Sequence, residues 1–386
     1  MKIRYFDHAA TTAVKEEVLK EMLPYFSILY GNASSIYSIG RESKKAIEEA
    51  RRKVARAIGA KKSEIYFTGC GSECDNLIIK GITHHYREKG NHIITSKIEH
   101  PAVLNTCKAL EKEGYIVTYL NVTKEGKIDL GQLESSITDS TILISIMAAN
   151  NEIGTIQPLK QIGEIAKRHG VIFHSDAVQA IGNINVNVKE LGIDALSISA
   201  HKFYGPKGVG ALYVREGIEF DRIQDGGHQE KNKRSGTENV AGIVGLGKAI
   251  ELAIQDQEKY SQRLRELRDY TIKKIEEAIP EAVLNGDPKD RLPGNINFAF
   301  PEIDGEELLL KLDERGICAS TGSACSSGDT KPSHVLLAIG LGSNLAKGSL
   351  RISLGDENTK EDMDFLIDSL KEIIAQMKGK EKALHD

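Results

Sequence analysis

Short, continuous apolar runs that alternate with helical patterns dominate the chain between about residues 41 and 260. A strand that is apolar on both sides must be covered on both sides, which is typical of a parallel sheet between two layers of helices. The runs that predict strands lie at residues 65–68, 92–95, 116–119, 141–146, 171–173, 196–198 and 211–214. The pattern therefore predicts a doubly wound α/β domain with a mainly parallel sheet.

The rest of the chain adds three expectations. Residues 200–210 form too short a connection for a helical crossover, so the strand at residues 211–214 is expected to be antiparallel to its predecessor. A helical pattern without proline runs from residue 241 to residue 279 and predicts one long helix that links two lobes. Strands predicted at 295–300 and 350–354, with helices near 306–315 and 362–377, indicate a second, smaller C-terminal α/β domain.

Length, composition and charge restrict the class of protein. A chain of 386 residues is longer than one hydrophobic core usually supports, so two domains are expected. The net charge of −4 provides no basic surface for nucleic acid or an anionic membrane, and neither partner is expected. No apolar run approaches the ~18 residues of a membrane span, and the N-terminus lacks the apolar core of a signal peptide. The protein is therefore expected in the cytoplasm.

The five cysteines form an odd set without a Cys-x-x-Cys pair, which argues against a disulfide framework and against structural zinc. Cys70, Cys107 and Cys318 have apolar neighbours and are expected to be small core residues. Cys325 differs, because residues 320–329 contain no large apolar side chain that could hold them in a core. Its thiol is expected to be exposed and available as a nucleophile, with an unreactive surface thiol as the alternative.

Lys202 directly follows a predicted buried strand and precedes a glycine-punctuated turn. Lysine is rarely buried without a partner, and desolvation favours the neutral amine, which attacks carbonyls and forms Schiff bases. Asp176 ends the preceding strand, so both side chains are expected at the carboxyl edge of one parallel sheet, where such sheets bind ligands. A lysine for an aldehyde and a carboxylate for a ring nitrogen suit pyridoxal phosphate. The alternative is that Lys202 is an ordinary exposed lysine in a turn.

Two motifs make this interpretation specific. Residues 174–179 read His-Ser-Asp-Ala-Val-Gln, and residues 199–208 read Ser-Ala-His-Lys-Phe-Tyr-Gly-Pro-Lys-Gly. Together they resemble the NifS/IscS-type cysteine desulfurases, which are fold-type I pyridoxal phosphate enzymes of the class-V aminotransferase family, and the resemblance runs almost end to end. It implies a large cofactor-binding domain of residues 15–260 and a small domain of residues 1–14 and 261–386. It also implies a homodimer with shared active sites.

The resemblance further implies a set of cofactor contacts. Lys202 would carry the cofactor, His100 would stack on its ring and shuttle protons, and Thr237 would contact the phosphate of the partner subunit. Residues 68–73 join a strand to a helix, whose free N–H groups suit a phosphate, although Gly-Cys-Gly-Ser-Glu replaces the family's commoner Gly-Ala-Thr-Glu. The full set of expected cofactor contacts is Gly71, Ser72, His100, Asn151, Asp176, Gln179, Ser199, His201, Lys202 and Thr237.

Substrate binding is expected to involve Arg351 and Asn151. Arg351 lies in an apolar predicted strand, and a buried arginine needs an anionic partner. A substrate α-carboxylate and an internal salt bridge are the two candidates, and the resemblance favours the carboxylate. Ala33 and Tyr37 stand where the family usually has proline and histidine, which leaves the substrate-side role of that loop open.

The stretch Ser-Ala-Cys-Ser-Ser-Gly at residues 323–328 resembles the family's sulfur-accepting motif in its long-loop group. The implied reaction converts L-cysteine to L-alanine and leaves the sulfur on Cys325 as a persulfide. A sulfur-acceptor protein such as an iron–sulfur scaffold would then receive it, for iron–sulfur cluster assembly or tRNA thiolation. The chain itself is expected to hold no metal, although the resemblance allows Cys325 to contact a cluster bound by its partner.

Two rival functions stay open at this point. An aminotransferase or a selenocysteine lyase would share Lys202 and Asp176 but would not require Cys325. A non-catalytic sulfur carrier would need only the cysteine. The presence of Lys202, Asp176, His100 and Cys325 in one chain therefore favours an enzyme over a carrier.

Overall fold

The computed structural model describes residues 2–321 and 332–385, with side chains up to Gly379. The strands are β1 (Arg4–Tyr5), β2 (Ile65–Thr68), β3 (His92–Ser96), β4 (Ile116–Leu120), β5 (Thr141–Ser145), β6 (Ile172–Asp176), β7 (Ala195–Ser199), β8 (Gly210–Val214), β9 (Val283–Leu284), β10 (Asn295–Ala299), β11 (Ile317–Cys318) and β12 (Ser349–Ser353). The α-helices are α1 (Glu16–Met22), α2 (Pro24–Ser27), α3 (Ser38–Ala57), α4 (Gly71–His85), α5 (Pro101–Lys112), α6 (Leu130–Ser135), α7 (Leu159–His169), α8 (Val188–Leu191), α9 (Gln229–Asn232), α10 (Val240–Gln255), α11 (Gln257–Ala278), α12 (Gly305–Asp313), α13 (His334–Ala338), α14 (Ser343–Lys347) and α15 (Lys360–His385). Within the described ranges, none of the helices combines the length and the apolar character needed to cross a membrane.

The large sheet has seven strands in the order β2-β8-β7-β6-β5-β3-β4. From β7 to β4, every neighbouring pair is parallel. Strand β8 is antiparallel to both β7 and β2, which confirms the expectation drawn from the short connection after β7. The carboxyl ends of β3, β5, β6 and β7 consequently meet at one edge, where α/β sheets of this topology bind ligands.

Both faces of this sheet are buried, as the continuous apolar runs predict. Within β3, Ile93 packs in one hydrophobic core and Ile94 in the core on the other face. Leu143 and Ile144 of β5 divide between the same two cores. Because successive side chains of a strand point to opposite faces, only a sheet covered by helices on both sides accommodates such residues without exposing them.

A smaller domain surrounds the antiparallel sheet β12-β10-β9. Its core contains Phe298 from β10, Ile352 from β12 and Leu366 from α15, all fully buried. Phe6 is buried in the same core, whereas Val18 of α1 belongs to the core of the large sheet. The predicted division into residues 15–260 and residues 1–14 with 261–386 is compatible with this packing and stays a prediction.

The prediction of one long helix across residues 241–279 is wrong. The structure has two helices, α10 and α11, separated at Asp256, whose backbone leaves the helical region at φ −115° and ψ 18°. The turn is held to the large domain, because Gln257 Nε2 donates to the carbonyl of Ile184 and Ser261 Oγ donates to that of Asn183. The break lets α10 pack on α3 while α11 packs on α15 of the small domain.

The expectation for the cysteines is confirmed only in part. Cys107 is buried, as is Cys74, but Cys70 and Cys318 are half-buried. Cys70 directly precedes α4 and faces a cavity, while Cys318 ends the short strand β11 beside β1. Apolar sequence neighbours did not reveal that these two positions lie at edges of the packed layers.

Candidate active site

A cavity of about 250 Å³ lies at the carboxyl edge of the large sheet. It is lined by residues that follow four different parallel strands, namely His100 after β3, Asn151 after β5, Asp176 at the end of β6 and Ser199 at the end of β7. The lining contains ten of the residues expected to bind cofactor or substrate: Gly71, Ser72, His100, Asn151, Asp176, Gln179, Ser199, His201, Lys202 and Arg351. Thr237 is not among them, and Cys325 lies outside the described residues.

Lys202 ends a short 3-10 turn that follows β7 directly, so the strand delivers its side chain to the cavity. Its Nζ donates to the carbonyl oxygens of Ala9 at 2.6 Å and Ala10 at 2.7 Å. The same N-terminal segment is tied to the lysine turn by Thr12, whose Oγ1 donates to the carbonyl of His201 and accepts from the N–H of Tyr204. These bonds hold the amine at one place in the cavity wall.

Asp176 is buried in the floor of the cavity, where burial raises the pKa of its carboxyl. The pKa of Asp176 is lowered by nearby His100, by a hydrogen bond from the N–H of Val178 at 2.9 Å and by Lys202, which oppose the effect of burial. Asp75 of α4 also lines the cavity, and burial followed by the charge of Asp176 raises its pKa. A buried carboxylate in this position favours a cationic or protonated group placed opposite it.

His100 caps the N-terminus of α5, and its Nδ1 accepts a hydrogen bond from the N–H of Ala102 at 3.2 Å. An accepting Nδ1 leaves the proton of the neutral ring on Nε2. Burial lowers the pKa of His100, and nearby Lys202 also lowers it, whereas Asp176 raises it. The ring is therefore suited to stack on an aromatic group and to exchange a proton through Nε2.

The start of α4 forms one end of the cavity. A Cβ on Gly71 would lie 2.7 Å from Cγ2 of Val178 and 3.4 Å from Cβ of Ser199, so the backbone must approach this wall as glycine. The first N–H groups of the helix have no intrahelical acceptor and attract an anion. His201 lies nearby with its Nδ1 at 3.1 Å from Oγ1 of Thr11, and burial, with Lys202 and Lys207 as smaller causes, lowers its pKa to about 4.

The segment at residues 226–237 packs beside this helix start. Arg234 Nε donates to Glu73 of α4 at 2.8 Å, and a buried ion pair joins Arg51 of α3 to Glu230. Glu230, Lys231 and Asn232 all have positive φ angles, a conformation that costs non-glycine residues of order 1–3 kcal/mol each. Two hydrogen bonds, from Arg51 Nη1 at 2.7 Å and from Arg51 Nη2 at 2.8 Å, tie the Glu230 carboxylate and its backbone to α3. Thr237 follows, exposed on the surface.

Arg351 of β12 is a residue of the small domain that lines the cavity. Its side chain is 2% exposed, and Nη2 donates to Oδ1 of Asp7 at 2.8 Å while Nη1 donates to the carbonyl of Asn151 at 3.2 Å. The internal salt bridge that the sequence left open is therefore present. Arg351 also lines the cavity, so the salt bridge with Asp7 does not exclude a substrate α-carboxylate as a second partner.

Several contacts of the site were absent from the predicted set. Gln179, expected at a phenolic oxygen, donates from Nε2 to the carbonyl of Ala9 at 2.9 Å, so its amide also holds the N-terminal segment. Asp7 and Asp75 were not predicted to take part. Asp75 lies three residues after Ser72, just beyond the first turn of α4, and this spacing, which places two residues on one helix face, could have revealed it.

The residues present fit pyridoxal phosphate. The closely packed Gly71 and the start of α4 suit a phosphate, buried Asp176 suits a protonated ring nitrogen, and Lys202 supplies an amine for the aldehyde. The planar His100 completes the set by offering an aromatic face within the same cavity.

Glu99, next to His100, yields a prediction about stability. Burial raises the pKa of this carboxyl from 4.5 to about 8, although Ser96 Oγ and the N–H of Met147 donate to it. Between these values the folded protein keeps a proton that the unfolded chain releases, so the stabilising contribution is full below about pH 4.5 and is lost as pH rises through about 8. Glutamine cannot ionise, so between about pH 6 and about pH 9 the Tm of Glu99→Gln is expected to fall less with rising pH than the Tm of the parent.

The matched control for that measurement is Glu314→Gln, which changes an exposed carboxylate of the small domain. Thermal unfolding followed by circular dichroism across the pH range compares the three proteins. A Glu99→Gln protein with the same pH slope as the parent would contradict the assignment of a buried, protonated carboxyl at this position.

Three comparisons place the chain among known proteins. Residues 4–366 match the aminotransferase class-V family. The cysteine desulfurase IscS of Clostridium botulinum is 56% identical over 375 residues, which cover 96% of this chain and 94% of that protein. A solved NifS-like protein superposes with a TM-score of 0.92 at 38% identity, covering 97% of this chain and 100% of that one. A solved structure of SspA in complex with cysteine has a TM-score of 0.81 at 40% identity, covering 91% of this chain and 98% of that one.

Proposed function

Because the chain belongs to the class-V aminotransferase family and, within it, to the pyridoxal phosphate-dependent cysteine desulfurases, we propose that it converts L-cysteine to L-alanine and transfers the sulfur to its own Cys325. The observation that carries this proposal is the single cavity lined by Lys202, Asp176 and Arg351. An amine, a buried carboxylate and a buried guanidinium in one cavity are the groups that an α-amino acid and this cofactor require.

When bound, pyridoxal phosphate supplies an electron-accepting ring that stabilises negative charge at the substrate Cα. Asp176 holds the proton on the ring nitrogen, and Lys202 Nζ removes the proton from Cα. Arg351 and Asn151 hold the substrate carboxylate, which keeps the Cα–H bond directed towards Lys202. Neutral His100, protonated on Nε2, passes protons to and from the reacting atoms.

Sulfur transfer is assigned to Cys325. Its thiolate forms a bond to the substrate sulfur while the Cβ–S bond breaks, and the electron pair of that bond stays on the three-carbon product. Protonation of that product gives alanine, so one L-cysteine and one thiol yield one alanine and one persulfide. The balance requires no external oxidant or reductant.

The assay of the proposed function supplies L-cysteine and the reducing thiol dithiothreitol and measures alanine and sulfide together. Equal amounts of the two products support a desulfurase. Alanine formed from L-selenocysteine but not from L-cysteine would instead support a selenocysteine lyase. An amino group transferred to a keto acid, with no sulfide, would support an aminotransferase.

We also propose a homodimer, for which exposed apolar side chains of the N-terminal region provide support. Residues of α1, α2 and the following segment are 45–89% exposed although they are large and apolar, and they are Leu19, Leu23, Phe26, Ile28, Tyr30, Ile36 and Tyr37. This concentration of exposed apolar side chains in one short segment, called the N-terminal patch below, suggests an interaction surface. A second copy of the chain would also bring an exposed segment such as that of Thr237 to a neighbouring site.

Sedimentation of the dilute protein is expected to give a dimer because the N-terminal patch buries apolar area on association. The double variant Phe26→Asp, Ile36→Asp is expected to sediment as a monomer and to lose activity. Leu310→Asp is the matched control, since Leu310 is also a large apolar residue, is 67% exposed, and belongs to α12 of the small domain. A cofactor-saturated, fully active monomer would refute the shared active site.

The sulfur on Cys325 is proposed to pass to an acceptor protein such as an iron–sulfur scaffold in the cytoplasm, for cluster assembly or tRNA thiolation. The described cysteines Cys70, Cys74, Cys107 and Cys318 are free thiols, which fits a reducing compartment. A persulfide is also reduced easily, so direct transfer between proteins protects the sulfur from loss.

A further inference from the structure

The N-terminal segment supplies Asp7, a half-buried carboxylate to which the reaction assigns no step. Its Oδ1 accepts from Nη2 of Arg351 at 2.8 Å, and its Oδ2 accepts from Oγ of Ser320 at 3.1 Å. With both oxygens engaged, the carboxylate has one orientation. Its backbone is fixed as well, since the carbonyl of Asp7 accepts from the hydroxyl of Tyr5 and from the N–H of Ala10.

The guanidinium of Arg351 depends on this carboxylate for its placement. The side chain is 2% exposed, and among the described residues its other side-chain hydrogen bond goes to the carbonyl of Asn151 at 3.2 Å. Nε of Arg351 is buried and has no hydrogen-bond partner among the described residues. A five-donor fork held at one end by Asp7 therefore keeps further N–H groups for another acceptor, and Arg351 lines the cavity.

A second buried acid near Arg351 does not replace Asp7. Burial raises the pKa of Glu152 to about 7, and Oε2 of Glu152 accepts from Ser333 Oγ. The positive charge of Arg351 only partly offsets this effect of burial. Asp7, by contrast, is in direct contact with the guanidinium, so it is the carboxylate that fixes the orientation of Arg351.

We propose that Asp7 is a positioning residue that orients Arg351 for the α-carboxylate of the amino-acid substrate, so that the enzyme distinguishes amino acids from amines that lack this carboxylate. The proposal rests on the proposed function and adds a determinant of substrate specificity to it. Asp7 touches Arg351 and not the reacting atoms, so its removal should affect binding of the carboxylate more than the chemical steps.

The test compares L-cysteine with cysteamine, which has the same amine and thiol but no carboxylate. For Asp7→Ala we expect the KM for L-cysteine to rise about 10- to 100-fold, which corresponds to the energy of about one charge-assisted hydrogen bond. The kcat is expected to change less. Equilibrium binding of cysteamine, measured through the absorbance of the bound cofactor, is expected to stay within about threefold of the parent. Asp7→Asn keeps an acceptor oxygen for Arg351, so its KM for L-cysteine is expected to lie between that of the parent and that of Asp7→Ala.

Two further variants keep the test decisive. Ser320→Ala removes the hydrogen bond to Asp7 Oδ2 and keeps the ion pair between Asp7 and Arg351. A small rise in the KM for L-cysteine is expected for this variant, and it can be measured even if the Asp7→Ala protein folds poorly. Asp362→Asn is the matched control, because buried Asp362 pairs with Arg4 and Lys2 of the same N-terminal segment. It is expected to lower Tm and to leave the ratio of L-cysteine to cysteamine affinity unchanged.

The outcomes separate this inference from the proposed function. A parent enzyme that forms no alanine from L-cysteine overturns the function itself. A parent that is active, with Asp7→Ala and Ser320→Ala variants whose KM and affinity ratio match the parent, overturns the role of Asp7 alone. An Asp7→Asn enzyme that binds L-cysteine more tightly than the parent would show that Asp7 competes with the substrate, and it would also overturn the proposal.

Discussion

Replacing Lys202 by alanine is expected to reduce alanine and sulfide formation by about 10³-fold, because both the amine that holds the cofactor and the base that removes the Cα proton are lost. The fold should survive the change. Lys202 Nζ contacts the carbonyls of Ala9 and Ala10 at the cavity wall, and Lys202 itself is not part of the apolar core of the large sheet. Activity assays and circular dichroism on the same preparation measure the two effects separately.

Lys207→Ala is the matched control, since Lys207 is an exposed lysine five positions further along the same turn region. Its activity is expected to equal that of the parent. Borohydride reduction followed by peptide mapping should place the reduced cofactor on Lys202 in the parent. A cofactor found on Lys207, or a Lys202→Ala protein with parental activity, would contradict the assignment.

Replacing Cys325 by serine is expected to reduce sulfide release by about two orders of magnitude or more, because a serine hydroxyl cannot take over the attack on the substrate sulfur. Binding of L-cysteine should persist. Arg351, Asn151 and Lys202, which are proposed to hold the amino acid, are unchanged by this substitution. Mixing the variant with L-cysteine should therefore still change the absorbance of the bound cofactor while sulfide release is lost.

Cys318→Ser provides the comparison for Cys325. Cys318 is a half-buried thiol of the same domain, and burial, with Asp313 and Asp7 as smaller causes, raises its pKa. A raised pKa leaves less thiolate at neutral pH, so this cysteine should be dispensable for sulfur transfer. Parental sulfide release from Cys325→Ser, or its loss in Cys318→Ser alone, would assign the sulfur acceptor to a different residue.

Local sequence patterns predicted much of the fold because they report burial directly. The continuous apolar runs of β3 and β5 predicted a sheet covered on both faces, and the placement of Ile93 and Ile94 in opposite cores confirms it. The short connection after β7 predicted the antiparallel strand β8. The break between α10 and α11 was missed, because the helical periodicity continues across Asp256 and the tertiary contacts of Gln257 and Ser261 hold the turn.

The candidate site was predicted where its residues end a strand, closely follow one or begin a helix, as Asp176, Lys202 and Gly71 do, respectively. Contacts between distant parts of the chain could not be predicted in this way. Asp7 and Arg351 are 344 positions apart, and Lys202 reaches Ala9 across 193 positions. No local pattern encodes such pairs, because they arise only when the N-terminal segment packs between the two domains.

The most direct test of the central claim is a single turnover of the purified enzyme with L-cysteine in the absence of any reducing thiol. Alanine is quantified, and the protein is digested and analysed by mass spectrometry for a persulfide on each cysteine. We predict equal amounts of alanine and of a persulfide on Cys325. Alanine formed without a persulfide on Cys325, or a persulfide on Cys325 without alanine, would contradict the proposed reaction.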